Sequence, residues 1–185
     1  MKISAVFLDR DGVFNPHIPG GYLLSADDLH LLPGVARAVR RLNDAGLLVI
    51  VISNQQGVGK GLMTEGDLQA IESAMSVALK QEAGAWVDRW YYSTELASEN
   101  SPRRKPKPGM LWEAAQDFGL TLSATVFAGD SATDIAAGHA AGVGRTVLLL
   151  SGGIAQYTPG DLTPAPGLVF ETPSQLVDWV LEQRT

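Results

Sequence analysis

Two aspartates stand two residues apart in the charged turn Asp9-Arg10-Asp11-Gly12, directly after the apolar run 3–8. Carboxylates at i and i+2 on a turn can divide a reaction between them. One attacks an electrophile or binds metal, and the other handles the leaving-group proton. A third carboxylate, Asp130, follows the apolar run 125–128 and completes an oxygen-rich set of the kind that Mg²⁺ takes. Ser53, after the run 47–52, and Lys105, in Arg103-Arg104-Lys105-Pro106-Lys107-Pro108-Gly109, add a hydroxyl and an ammonium. Those two groups can hold phosphoryl oxygens and offset their charge, so the set as a whole suits phosphoryl transfer. Asp134 is open at this stage: Ser131-x-x-Asp134 is also a helix capping box, so capping, direct metal contact and support of a ligand all remain readings.

These groups need a frame that brings them together. The runs 3–8, 47–52, 125–128 and 146–150 are of strand length and mostly apolar, with shorter strands expected at 90–92 and 168–170. Between them lie helical patterns. Pro33-Gly34 opens one with Val35, Val39 and Leu42 inward, closed at Gly46. Thr64 opens another as a capping box with Asp67, burying Leu68, Ile71, Met75 and Leu79. A helix over 110–118 turns Leu111, Ala114, Ala115 and Phe118 inward, 131–141 is stopped by Gly142, and 173–183 is the last. Segment 93–108 reads as a functional loop and 151–166 as a Gly/Pro-rich surface loop. Alternating β and α units with continuously apolar strands predict an α/β fold. It is a three-layer, Rossmann-like parallel sheet with helices on both faces, one domain over 1–185 and no large cap domain. Ligands of such sheets sit outside the carboxyl ends of the strands, where these polar groups fall.

Composition narrows the alternatives. The chain has 185 residues, 45% of them hydrophobic, a net charge of −6 and no Cys. Without Cys there is no disulfide, Cys-ligated zinc, iron–sulfur cluster or thiol catalysis. The negative charge argues against broad nucleic-acid contact, so Arg103 to Lys107 reads as a phosphate-recognition loop. No apolar run is long enough to cross a bilayer and no signal-peptide core is seen, so a soluble cytoplasmic monomer without membrane or nucleic-acid partners is expected. His17, His30 and His139 fit no metal spacing and read as structural or solvent-facing, and Trp86, Trp90, Trp112 and Trp179 as core or helix-packing residues. Gly57-Val58-Gly59-Lys60-Gly61 lacks the P-loop spacing and reads as a turn that lets backbone approach the site.

In order along the chain, Val6-Phe7-Leu8-Asp9-Arg10-Asp11-Gly12-Val13, Val51-Ile52-Ser53-Asn54-Gln55, Lys105 and Gly129-Asp130-Ser131-Ala132-Thr133-Asp134 resemble the four motifs of the haloacid-dehalogenase superfamily. These are Mg²⁺-dependent phosphatases that work through an aspartyl phosphate. Within the superfamily the chain is similar to the D-glycero-D-manno-heptose 1,7-bisphosphate 7-phosphatases and the related histidinol-phosphatases. That likeness rests on Asp-Arg-Asp-Gly-x-x-Asn, Gly21-Tyr22, Ser53-Asn54-Gln55-x-Gly57 and Arg104-Lys105-Pro106-x-Pro108-Gly109-Met110-Leu111. The resemblance implies Asp9 as nucleophile, Asp11 as acid and then base, and Mg²⁺ on the carboxylates of Asp9 and Asp130 and the backbone carbonyl of Asp11. It further implies Ser53 and Lys105 on the transferred phosphate, and Asn54, Arg104 and Tyr22 near the substrate. The expected substrate is a small phosphorylated sugar, heptose 1,7-bisphosphate first, with histidinol phosphate as the alternative and a catalytically idle sugar-phosphate-binding module as a different class.

The chain departs from that family in two places. Many heptose bisphosphate phosphatases carry a zinc loop of three Cys and one His, and here Ser93, Glu95, Ser101 and Arg103 stand near the ligand places. No zinc is expected. Ser131 follows Asp130 where the best-known heptose enzymes have Lys, which leaves Arg103 or Lys107 as the charge available to a second phosphate.

Overall fold

The computed structural model describes residues 2–151 and 157–184. Its six strands are β1 (Ala5–Leu8), β2 (Leu48–Asn54), β3 (Arg89–Ser93), β4 (Thr125–Gly129), β5 (Arg145–Leu149) and β6 (Leu168–Phe170). They form one sheet in the order β3-β2-β1-β4-β5-β6, and every pairing is parallel. The helices are α1 (Val35–Asp44), α2 (Gln56–Gly59), α3 (Glu65–Ala83), α4 (Gly109–Phe118), α5 (Ala132–Ala141) and α6 (Pro173–Glu182).

Burial on both faces explains the unbroken apolar strands. Side chains alternate across a strand, so Val6 and Leu8 of β1 point to one face and Phe7 to the other. Val49 and Val51 of β2 and Val126 and Ala128 of β4 join the first face, where α1, α3 and α6 cover them with Val39, Leu42, Met75, Leu79 and Val177. Phe7, Ile50, Ile52 and Phe127 meet Leu111 and Ala114 of α4 and Ala137 of α5 on the second. A polar residue would find no water on either side. Between β1 and β2 lie only a single 3-10 turn (Ala26–Asp28) and α1, so no cap domain intervenes.

Local signals hold at the helix ends. Thr64 and Asp67 form the expected capping box, the Asp67 N–H donating to Thr64 Oγ1 at 3.1 Å and the Thr64 N–H to Asp67 Oδ2 at 2.8 Å. Gly142 ends α5 at φ 80°, a left-handed conformation that suits a residue without Cβ.

Several expectations need correction. Trp86 and Trp112 are 47% and 54% exposed rather than packed in the core. Trp112 lies one position, about 100° of helix, away from the buried face that carries Leu111 and Ala114. Trp86 is in a loop, where its indole N–H reaches Asp88 at 3.2 Å. Trp90 and Trp179 do pack at the margin of the core. Ala115 and Phe118 are only half-buried, and Met110 takes the inward place. Helix α2 was not expected, since two of its four residues are glycine. Packing imposes it: the Gly59 N–H donates to Thr94 O at 3.1 Å, and a Cβ there would lie 2.4 Å from that oxygen. Of the surface loop expected over 151–166, residues 152–156 lie outside the described residues, and 157–166 form turns.

Candidate active site

The strand order reverses direction of growth between β1 and β4, and the crevice at that switch point holds the site. Asp9 follows β1, its N–H pairing with Ala128 O at 3.0 Å. Ser53 and Asn54 end β2, and Asp130 follows β4. Around them a cleft of about 210 Å³ is lined by Asp9, Asp11, Ser53, Asn54 and Asp130 from the strand ends, with Tyr22 from the loop after β1.

Lys105 comes from the loop before α4 and is 3% exposed. Its Nζ lies 2.9 Å from Asp9 Oδ1 and 2.6 Å from Asp134 Oδ1, and donates to Ile52 O at 2.9 Å. Asn54 puts it there. The Asn54 amide donates to Lys105 O and its Oδ1 accepts from the Lys105 N–H, both at 3.0 Å. Asp134 serves two tasks with two oxygens: Oδ1 meets Lys105, while Oδ2 accepts from the Ser131 N–H at 3.0 Å as the capping box of α5. Asp134 thus both caps the helix and supports the lysine, and it also belongs to the acidic cluster beside the cleft.

The carboxylates are crowded. Asp9, Asp130 and Asp134 each offer an oxygen within 4.8 Å of the others, and all are buried. Gly12 admits this: it sits at φ 80°, and a Cβ there would lie 1.9 Å from Asp130 Oδ2. Burial, with the charges of Asp9 and Asp134 behind it, pushes Asp130 up to about 8. Burial also raises Asp9 to about 6, with Lys105 opposing and Asp134 and Asp11 assisting. Lys105 moves up despite its burial, because Asp134 and Asp9 face it. Buried carboxylate oxygens short of positive charge are donors fitted to a hard divalent cation, so the residues present fit such an ion.

Asp11 behaves oppositely. Burial works to raise it, but the Arg10 guanidinium and hydrogen bonds from Asn15 and Gln55 outweigh burial and hold it below the usual carboxylate range. Arg10, which the sequence reading passed over, is fully buried.

Among the remaining expected residues, Arg104 does not line the cleft. Its guanidinium donates to Gln56 Oε1 at 2.7 Å and Glu95 O at 3.4 Å. Neither proposed second-phosphate cation is free: Arg103 pairs with Glu113 at 2.7 Å and donates to Tyr92 O at 2.9 Å, and Lys107 donates to Asn100. His17 is solvent-facing, as expected, and yet belongs to the site. It lines the cleft with Nδ1 3.4 Å from Asp130 Oδ2. No spacing rule could find it, because the loop after β1 brings it back across the strand ends. At the four positions near the family's zinc ligands, Glu95 accepts from Ser93 Oγ at 2.6 Å and Ser101 Oγ at 2.9 Å, and the Arg103 N–H donates to Ser101 Oγ at 3.2 Å.

Residues 3–142 match the model of the haloacid dehalogenase-like hydrolase family. The chain belongs to that family. A D-glycero-D-manno-heptose-1,7-bisphosphate 7-phosphatase of Thermosynechococcus vestitus is 37% identical over 97% of this chain and 96% of its own. A D-glycero-alpha-D-manno-heptose-1,7-bisphosphate 7-phosphatase of Burkholderia mallei is 36% identical over 80% of this chain and 81% of its own. The crystal structure of the D,D-heptose 1,7-bisphosphate phosphatase of B. bronchiseptica, complexed with magnesium and phosphate, superposes with a TM-score of 0.90 at 31% identity. It covers 98% of this chain and 99% of that one. Over nearly its whole length this hydrolase thus shares the fold of a phosphatase of its family. Among its described residues no helix is long and apolar enough to cross a membrane.

Proposed function

We propose that this hydrolase is a Mg²⁺-dependent phosphomonoesterase that acts on a small phosphorylated sugar, with D-glycero-D-manno-heptose 1,7-bisphosphate, cleaved at the 7-phosphate, as the first candidate. The observation that carries the reading is Asp9: a buried carboxylate at the central strand end, open to a cleft, 2.9 Å from a lysine ammonium and beside a cluster of acidic oxygens. The names of the relatives support the choice of sugar.

The chain's own residues account for the chemistry. An Asp9 oxygen attacks phosphorus and forms the acyl phosphate. The ester P–O bond breaks, its electron pair goes to the sugar oxygen, and that oxygen takes a proton from Asp11. Water then attacks the phosphorus, the bond to Asp9 breaks with its pair returned to the carboxylate, and Asp11 takes the water's proton. Lys105 and Ser53 hold the non-bridging oxygens. The carboxylates of Asp9 and Asp130 and the backbone carbonyl of Asp11 would hold Mg²⁺, which when bound neutralises charge on the phosphoryl oxygens. Asn54 and Arg104 act indirectly in this reading, one by fixing Lys105 and the other by fixing the loop before it, and Tyr22 and His17 wall the cleft.

The test is phosphate release from heptose 1,7-bisphosphate, histidinol phosphate and a panel of sugar phosphates, with Mg²⁺ and with EDTA. Mg²⁺-dependent turnover led by the heptose is expected, and Asp9→Asn should abolish it in a folded protein. Preference for another monophosphate would discard the sugar and keep the mechanism. No turnover on any member would favour a binding module.

A further inference from the structure

The cations around the cleft are nearly all engaged. Lys105 faces Asp9 and Asp134, Arg103 and Lys107 are turned to Glu113 and Asn100, and Arg104 is clamped by Gln56. Lys60 differs. It is exposed, and among the described residues its ammonium forms no ion pair and no hydrogen bond. Its partner is the face of Tyr22, 5.2 Å from Nζ to the ring centroid, and Tyr22 is a wall of the cleft. The turn behind Lys60 fixes its backbone there. The Lys60 N–H donates to Gln56 O at 3.0 Å and the Leu62 N–H to Gly57 O at 2.9 Å. A Cβ at Gly57 would lie 3.4 Å from Tyr22 Cγ, so this turn packs directly on the tyrosine. Gly61, at φ 68°, then leads the chain away. A fixed backbone therefore presents a mobile ammonium at the rim of the cleft. An aromatic face holds an exposed ammonium only weakly, whereas a phosphate binds it through charge-assisted hydrogen bonds. The size of the cleft gives that ammonium a task. At about 210 Å³ it is smaller than the roughly 300–1,000 Å³ of sites that enclose a drug-sized ligand. With the transferred phosphate on Lys105 and Ser53, the far end of a phosphorylated sugar extends past the Tyr22 wall.

We propose that Lys60 determines specificity by binding the second, non-reacting phosphate of a sugar bisphosphate at the rim of the cleft. The inference rests on the reading of the cleft as a phosphatase site. Helix α2 then acts at both of its ends. Its first residue, Gln56, holds Arg104 away from the cleft, and Lys60, just past its last residue, supplies a charge that Arg103, Arg104 and Ser131 do not. The far phosphate keeps its charge throughout the reaction. Lys60 thus holds substrate and transition state alike, and its loss is read in KM and not in kcat.

Two substrates that differ only in the far group separate this role from a structural one. Steady-state phosphate release at saturating Mg²⁺ compares heptose 1,7-bisphosphate with heptose 7-phosphate. The parent is expected to favour the bisphosphate in kcat/KM. Lys60→Met should raise KM for the bisphosphate about tenfold, the worth of one charge-assisted hydrogen bond, and hold kcat within about twofold. Neither constant for the monophosphate should move by more than about twofold. Lys60→Arg should restore the parental KM, and Lys60→Glu should raise it further. Added salt should weaken the parent's preference and leave the kinetics of Lys60→Met nearly unmoved. The side chain is exposed, so the variants keep the core intact, and urea unfolding checks that they do. A bisphosphate preference that survives in Lys60→Met would overturn the proposal and keep the phosphatase. So would an equal rise of KM for both substrates, or a parent that does not distinguish them. Turnover confined to monophosphates across the sugar phosphate panel would overturn it as well. A parent that releases phosphate from no member of that panel would instead refute the phosphatase reading, and this inference with it.

Discussion

Replacing Asp130 by Asn should make the metal-free protein more stable at pH 8 and inactive. Asp130 is 3% exposed, and burial beside Asp9 and Asp134 raises it from 3.8 to about 8. At about 1.4 kcal/mol per unit, the ionised carboxylate withholds about 6 kcal/mol of folding free energy above pH 8. Asparagine recovers about half of that, because it loses the His17 contact and still lies beside Asp9; the expected gain is about 3 kcal/mol, or on the order of 10 °C in midpoint. The folded state binds this proton more tightly than the unfolded chain does. Its stability is therefore whole below pH 3.8 and falls as pH rises toward about 8. The advantage of the variant should accordingly be largest at pH 8, cross zero near pH 6 and become a deficit of about 1 kcal/mol at pH 5, where the parent carboxyl is mostly protonated. Urea unfolding of EDTA-treated parent and variant at these pH values measures it, and Mg²⁺ should then stabilise the parent and leave the variant unmoved. A variant no more stable than the parent at pH 8, or an advantage that does not depend on pH, would refute the account of the site as a set of unneutralised buried charges.

Three further outcomes are expected. Lys105→Met leaves Asp9 and Asp134 without their cation, so turnover should be lost and stability at pH 8 should drop by about 3–5 kcal/mol, less at pH 5, by urea unfolding. Gly12→Ala puts a Cβ on the Asp130 carboxylate at a left-handed φ, and should cost more than about 1 kcal/mol and abolish Mg²⁺-dependent phosphate release. Thr172→Ala removes the N-cap of α6, far along the sheet from β1; it should cost about 1 kcal/mol by thermal melting and keep the parental activity.

The elements that carry this site were legible because they are local. An apolar run that stops at a charged turn marks a strand end, and Asp9, Ser53 and Asp130 each stand at one. The capping boxes at Thr64 and Ser131 are three-residue signals. The unread parts depend on pairs far apart in the chain. Asn54 clamps Lys105 across 51 positions, and Gln55 reaches Asp11 across 44, distances over which no periodicity speaks. Arg10, between two aspartates, has the appearance of a solvated turn residue, and only the folded cage around Asp11 explains why it is buried. His17 was hidden for the same reason: nothing in Pro16-His17-Ile18-Pro19-Gly20 says which way the loop folds back.

The loop that leads to Lys105 is drawn together by one carboxylate, Glu95, and the hydroxyls of Ser93 and Ser101. The side chains of that junction offer oxygen alone, with no thiolate or imidazole of the kind a structural zinc site takes. Its atoms are also inert to peroxide and to thiol reagents, in a chain without a single cysteine. Chelation of trace metals and oxidative stress, two insults that would unfasten a thiolate-bound loop, leave this one closed. Acid is the condition that opens it: the hydroxyls hold Glu95 below its ordinary range, so the fastening gives way only as pH falls through that lowered value.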